Sequence, residues 1–261
     1  MRLRSSRAGL GTESVGIMEA LDLGSLAKMA LDAPALPLTR SLSWAWSGGK
    51  DSALALWTLR EREGRLPASL MTTVTAEYER VSMHGVRREL LAGQAQLAGV
   101  PLVEVEIPVD CTNEVYEAQM AAAFTSAPMS SVEDVAFGDL FLQDVREYRE
   151  NRLAAAGRRA LFPVWGLDTP DLARRFISLG FRAILVCVDP RALDPSLAGR
   201  EFDESLLEDL PPEVDPCGEN GEFHTFVYDG PVFAGAVDCR RGEVVERGGF
   251  VFCDLLAGVA D

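Results

Sequence analysis

From residue 41 onward the hydrophobic positions follow a repeating plan. Apolar runs of about five residues, several of them β-branched, alternate with longer stretches in which apolar residues recur every three or four positions with charge between them. The runs LSWAW (42–46), LMTTVTA (70–76), LVEVEI (102–107), DVAFG (134–138), ALFPVW (160–165) and RAILVCV (182–188) predict strands of a parallel sheet. The stretches DSALALWTLRERE, GVRRELLAGQAQLAG, NEVYEAQMAAAFTS, QDVREYRENRLAAAG and TPDLARRFISLG predict the helices between them. Strictly alternating strands and helices imply an α/β fold with a doubly wound parallel sheet. The punctuation agrees: Gly99 and Gly180 each close a helical stretch just before a strand, and Thr169-Pro170 reads as an N-cap and first turn.

Beyond about residue 190 the plan changes, first to an acidic stretch rich in Pro and Gly and then to a strand pair within AGAVDCRRGEVVERGGFVFCDLL. The expected organisation is an N-terminal extension (1–39), a nucleotide-binding α/β domain (40–165) and a smaller C-terminal α+β substrate domain (166–261). The extension carries three arginines among its first seven residues and a mixed run, IMEALDLGSLAKMALDAPALP, that could form an amphipathic helix. Glu19, Asp22 and Asp32 interrupt any apolar signal core.

Charge narrows the range of partners. With 40 acidic against 25 basic side chains the net charge is -15, and the mean field repels phosphate backbones and anionic lipid. A nucleic-acid partner is therefore not expected. Neither is a membrane, since no apolar run reaches the ~20 residues needed to span one. Five scattered cysteines (Cys111, Cys187, Cys217, Cys239, Cys253), none in a Cys-x-x-Cys pair, argue against a disulfide framework or structural zinc and for a reducing cytoplasm.

Of the 25 basic residues only Lys28 and Lys50 are lysines, which draws attention to the second. It lies in SWAWSGGKDSALAL (43–56), whose Gly-Gly-Lys suggests a P-loop until the flanks are compared: Trp44 stands where the first glycine belongs and Asp51 where the hydroxyl belongs. The stretch nonetheless joins a predicted strand to a predicted helix. Gly48 and Gly49 let backbone amides approach an anion, Ser47 and Ser52 add hydroxyls, and the helix contributes its positive end. A carboxylate beside bound phosphate is costly without a bridging cation, so Asp51 implies Mg2+ there, or else N-caps the helix.

A second informative stretch is DPCGENGEFHTFVYDGPVF (215–233), which packs Glu219, Glu222 and His224 among three glycines. Carboxylates and an imidazole can hold an amine or move a proton, although such a loop is also compatible with a solvated turn. His84 and His224 are the only histidines of the chain.

Ser47-Gly48-Gly49-Lys50-Asp51-Ser52 between strand and helix resembles the PP-loop of the ATP pyrophosphatases. Together with residues 215–233 and with MHGVRRELLAGQAQLAGVPL, AFGDLFLQDVREYREN and LFPVWG, it is similar to the diphthine-ammonia ligase family, from about Ser41 to Phe233. The resemblance implies a Rossmann-like HUP domain that binds ATP with Mg2+, and formation of an amide from a carboxylate and ammonia with release of AMP and pyrophosphate. It places the leaving diphosphate on Ser47–Ser52, with Lys50 neutralising it and Asp51 helping to hold the metal. Gly138, Asp139 and His84 would border the nucleotide, and Glu219, Glu222 and His224 would face the acceptor or the ammonia. Asn220 and His224 depart from the ligases' pattern, and the arginine-rich composition looks like that of a bacterial chain, in which diphthine is not the expected acceptor. The acceptor is then a small-molecule or peptide-bound carboxylate; a homodimer is compatible with this reading. Two other readings stay open: a tRNA-modifying PP-loop enzyme with Cys217 as sulfur carrier, and an ATP-binding sensor without turnover.

Overall fold

The computed structural model describes residues 40–258 except Arg65 and Met83, so the N-terminal extension lies outside the described residues. Among the described residues ten strands form two sheets. The first contains β1 (Leu42–Ala45), β2 (Ser69–Thr75), β3 (Arg80–Val81), β4 (Leu102–Ile107), β5 (Asp134–Ala136) and β6 (Arg159–Leu161). Its parallel strands run in the spatial order β4-β2-β1-β5-β6, and two-residue β3 pairs antiparallel with the far end of β2. Chain order therefore reverses between β1 and β5, which is where a doubly wound sheet opens a crevice at the carboxyl ends of its strands.

β1 holds the centre because its residues tolerate burial on both faces. Leu42 and Trp44 are buried, and Ser43, buried as well, shares a 2.9 Å hydrogen bond with Ser69 of β2. Helices α1 (Lys50–Glu63) and α2 (Arg88–Ala98) contribute to the core on one face, where Leu54, Leu56, Leu59, Leu90 and Leu91 join Trp44 and Trp46. Helices α3 (Asn113–Thr125) and α4 (Gln143–Ala155) bring Phe124 and Leu153 to the other, against Met71, Val105, Val135 and Phe137. Left-handed Gly64 (φ 65°) and Gly99 (φ 68°) end α1 and α2. Pro163 follows shortly after β6, which stops at Leu161, four residues short of its predicted end.

The second sheet corrects one expectation. Strand β7 has the limits read from the sequence, Arg182–Val188, but it belongs to an antiparallel sheet ordered β8-β7-β10-β9, with β8 (Phe223–Asp229), β9 (Cys239–Arg247) and β10 (Phe250–Ala257). The uninterrupted apolar run reports burial on both faces, and an inner antiparallel strand satisfies that as well as a parallel one. β9 and β10 are the expected strand pair, joined through Gly248 and Gly249, both at positive φ as a two-residue hairpin turn requires. Helix α5 (Thr169–Ser178) starts one residue earlier in its cap than expected: Asp168 is the N-cap, accepting the Asp171 amide, and Pro170 sits inside the first turn. A short α6 (Glu204–Asp209) follows. The core that lies over β1 continues without a break into β7, β8 and β10. Among the described residues no helix is long and apolar enough to cross a membrane.

Candidate active site

The loop Ser47–Gly49 leaves β1 at the reversal of strand order and enters α1. Gly49 is the N-cap residue with no side-chain cap, so Asp51 lies within the first turn and the N-cap alternative for it falls. Gly48 takes φ +77°, and a Cβ there would come 2.8 Å from Gln94 Oε1. Gly49 has somewhat more room, since a Cβ would stand 3.2 Å from the Thr225 carbonyl oxygen and 3.6 Å from His84 Nε2. These glycines are required by close approach as well as by conformation.

Strand β8 grips the loop from the other sheet. The Val227 amide donates to the Gly48 carbonyl at 2.9 Å, and the Lys50 amide donates to Thr225 Oγ1 at 3.0 Å. Buried Gln94 of α2 completes the joint: its Nε2 donates to the carbonyls of Gly48 and Val227, while its Oε1 accepts from Trp46 Nε1 at 2.8 Å. Ser47 Oγ accepts the Gly49 amide. Ser52 Oγ accepts from Trp44 Nε1 and donates to the Ala45 carbonyl, so this hydroxyl is committed to the fold.

Lys50 is only 3% exposed. Its ammonium donates to both Asp51 oxygens, at 2.9 and 2.7 Å, and to the Cys217 carbonyl, and it lies 5.4 and 5.7 Å from the ring centres of Phe223 and Phe202. Burial opposes its charge, but Asp51 and, more weakly, Glu219 reverse the effect and hold it above the usual lysine value. Burial pushes Asp51 up against the pull of Lys50, and Asp215 adds to the rise. Asp139 is likewise raised by burial, against its partner Arg149 (2.7 Å) and with the Asp51 charge adding to it.

Gly138, after β5, abuts the first turn of α1 so tightly that a Cβ would lie 2.8 Å from the Ser52 amide nitrogen. The turn before β8 reaches the same place. Glu219 Oε1 accepts the Leu140 amide at 2.8 Å, and burial, with Asp51 and Asp139 nearby, pushes this carboxyl up to about 7. His84, in the turn after β3, stacks on His224 of β8 with ring centres 4.5 Å apart. Burial, with the Lys50 charge contributing, holds both imidazoles low, at about 3 and about 4.

Thus Ser47–Ser52, His84, Gly138, Asp139, Glu219 and His224 converge. Glu222 has a different place: its Oε1 accepts the Asp215 amide and the Asn220 side chain, bracing the turn.

Two families match the chain: the diphthamide synthase N-terminal domain over residues 41–159 and the diphthamide synthase C-terminal domain over residues 168–255. The chain belongs to the diphthamide synthase family. Among curated relatives of the family, the human diphthine-ammonia ligase is 25% identical over 221 residues, covering 76% of this chain and 82% of the human protein. The mouse diphthine-ammonia ligase is 23% identical over 233 residues, covering 80% and 86%. That of Schizosaccharomyces pombe is 30% identical over 128 residues, 48% of this chain but only 21% of the yeast protein. A solved structure of the U34-tRNA thiolase NcsA from Methanococcus maripaludis with its [4Fe-4S] cluster aligns at a TM-score of 0.36 and 18% identity, over 59% of this chain and 61% of that one, a likeness too slight to bear on function.

Within this family setting, sequence reasoning missed Gln94, Thr225, Arg149 and Asp215. Gln94 had one signal, a polar residue among Leu90, Leu91, Ala95 and Ala98 on the buried face of α2. Cys217 does not suit a sulfur carrier: its thiol is buried, donates to the Thr169 carbonyl, and is pushed far above the usual thiol value by that burial. As for a metal, among the described residues no three His, Cys, Asp or Glu side chains converge on one point. Asp51, at the loop, is a hard oxygen donor whose two oxygens accept from the Lys50 ammonium. A carboxylate of this kind fits Mg2+, which takes one or two carboxylates and completes its shell with phosphate and water.

Proposed function

We propose that this protein is an ATP-dependent, AMP- and pyrophosphate-forming ligase that adenylates a carboxylate and transfers ammonia to it to form an amide. The observation that carries this reading is the clamp at Lys50. A glycine loop at the strand-order reversal is held by β8, directly after the acidic turn, so a phosphate seat and a carboxylate-rich acceptor side share one lysine. Membership of the diphthamide synthase family and the human diphthine-ammonia ligase relative support it.

In this reading the Asp51 and Ser52 amides in the first turn of α1, which have no intrahelical acceptor, receive the diphosphate end of ATP while Thr225 holds the Lys50 amide, and Gly138 and Asp139 border the nucleotide. The acceptor carboxylate attacks the α phosphorus, and the bond to the departing pyrophosphate breaks while Lys50 neutralises charge growing on it. Ammonia then displaces AMP from the acyl adenylate. Glu219 holds ammonium and takes the proton that makes it a nucleophile, a task suited to a carboxyl held near neutrality. Glu222 positions the turn. Mg2+, when bound, would be held by Asp51 and supplies further charge neutralisation. The acceptor is a small-molecule or peptide-bound carboxylate, with no nucleic acid involved.

The test is incubation with α-labelled ATP, Mg2+, ammonium and a panel of carboxylates. AMP and pyrophosphate should form only when both acceptor and ammonium are present. ADP and phosphate would overturn the reading, and ATP bound but recovered intact would point instead to a sensor.

A further inference from the structure

We propose that His84 and His224 form a two-imidazole seat for the phosphate chain of the nucleotide, a pair that takes up a proton when that chain occupies the loop. This rests on the reading of Ser47–Ser52 as the ATP loop and adds to it a role for the only two histidines of the chain.

The two rings are separated by 140 positions in sequence, arise from different sheets, and meet at 4.5 Å with a 36° tilt. The His84 ring has one hydrogen-bonding contact, with the Ser82 backbone, and the His224 ring has none among the described residues. A neutral imidazole offers one donor and one acceptor, so beyond the Ser82 contact the pair keeps polar ring atoms available to a ligand in partly buried surroundings. His84 Nε2 is 3.6 Å from the place a Cβ on Gly49 would take, and Gly49 caps the helix whose N-terminus receives phosphate in this reading.

Both rings are also held in position. The His84 amide donates to the Ser82 carbonyl, and Gly85 next to it lies against the Phe252 ring, where a Cβ would come within 2.9 Å. Arg80 donates to the Gly85 carbonyl and to Asp254 of β10, and Arg87 binds the same carboxylate, which ties the His84 turn to the second sheet. His224 is fixed by β8, in register with Cys187 of β7.

Charge selects the ligand. The charged groups on the packed elements are the Lys50–Asp51 pair of α1, the Arg80, Arg87 and Asp254 cluster behind the His84 turn, the Asp189–Arg191 pair after β7, and Glu219 and Glu222 in the turn before β8. Among them the Lys50 ammonium disfavours a proton on either ring. Ammonium would meet that same repulsion, whereas a polyphosphate is attracted. This moves His224 from the ammonia side of the site to the phosphate side. A bound triphosphate reverses the local field, and a proton from solvent then adds to an imidazole nitrogen, converting an acceptor into a charge-assisted donor.

Because the chain has only two histidines, untagged protein labelled with 13C-histidine gives two ring signals. These would be followed from about pH 5 to 8, alone and with Mg2+ and the α,β-methylene analogue of ATP. Calorimetry at about pH 6 in two buffers of different ionisation heat counts protons. Neither signal should titrate in this range without the analogue; with it, at least one midpoint should rise above about pH 6, with net proton uptake. His84→Asn and His224→Asn should each reduce the uptake and weaken binding at pH 6 about tenfold, roughly the worth of one charge-assisted hydrogen bond. Analogue bound with both signals unmoved and no uptake would overturn the histidine seat alone. No binding at all would overturn the loop reading and the seat with it.

Discussion

Two segments meet at Lys50, the loop Ser47–Ser52 and the turn Asp215–Glu222, and they hold their shapes by different means. In the loop, positive φ at Gly48, close approach at Gly49 and Gly138, and backbone bonds to β8 set the geometry. In the turn, carboxylates do so: Asp215 Oδ2 accepts the Glu219 amide at 2.8 Å, Glu222 Oε1 accepts the Asp215 amide at 3.1 Å, and Glu219 accepts the Leu140 amide across the site. Steric fit is indifferent to proton concentration, whereas hydrogen bonds to partly buried carboxylates depend on their ionisation. The loop should therefore fail by substitution and the turn by pH.

The largest effect is expected where the two segments share a side chain. Lys50→Ala removes the one ammonium that faces both, and turnover should fall roughly 10² to 10³-fold, the loss seen when a transition-state charge contact is deleted. Wild-type pyrophosphate release from this variant would separate the loop from the chemistry.

Gly138→Ala comes next and strikes only the loop. Its new methyl would lie 2.8 to 2.9 Å from backbone atoms of Asp51 and Ser52, which no rotamer change can relieve. The expected cost is about 1–3 kcal/mol of stability, with weakened ATP binding. Gly235→Ala, where a Cβ meets nothing within 4 Å, is the control. Equal urea midpoints for the two variants would show that the loop is looser than this packing implies.

The same difference decides what the sequence could disclose. Ser47–Ser52 was legible because a backbone-built loop leaves its glycines in the sequence, at a strand-to-helix junction that periodicity locates. The limits of β4 and β7 were legible from apolar runs. The sheet to which β7 belongs was not, since a run buried on both faces carries no record of its partners' direction. Strand β8 escaped notice because Glu222, His224 and Thr225 make its start look like a polar turn, although Phe223, Phe226 and Val227 are buried there. Glu219 and Glu222 illustrate the limit for sites: two glutamates in one signature, three residues apart, of which one reaches the β5 loop and the other braces its own turn. Only tertiary contacts distinguish them.

Glu219→Gln tests the turn through its charge. The amide oxygen can still accept from Leu140, so the fold should survive while the proton acceptor is lost. Turnover at neutral pH should drop at least about tenfold, at the low end of what general-base catalysis contributes. The wild-type rise of kcat/KM with pH, centred near 7, should disappear. A rise that persists unchanged would assign it to another group.

The smallest effect at neutral pH concerns stability, and there the two sides should have opposite signs. Burial raises the Glu219 carboxyl to about 7 in the folded state, above its ordinary 4.5, so its contribution is complete below 4.5 and is lost as pH rises toward 7. Burial lowers His84 and His224 to about 3 and about 4, below their ordinary 6.5, so their contribution is complete above 6.5 and is lost as pH falls toward those values. Where the unfolded chain has bound the proton and the folded one has not, each histidine costs about 1.4 kcal/mol per pH unit. Urea unfolding at pH 7.5, 6 and 5 separates the two terms. Glu219→Gln should gain stability over the wild type at pH 7.5 and lose that advantage by pH 5. The His84→Asn/His224→Asn double variant should show the reverse, with little change at pH 7.5 and a shallower acid decline. If both variants shift all three pH points equally, the ionisable groups play no separate part, and the contrast between a sterically set loop and a charge-set turn fails.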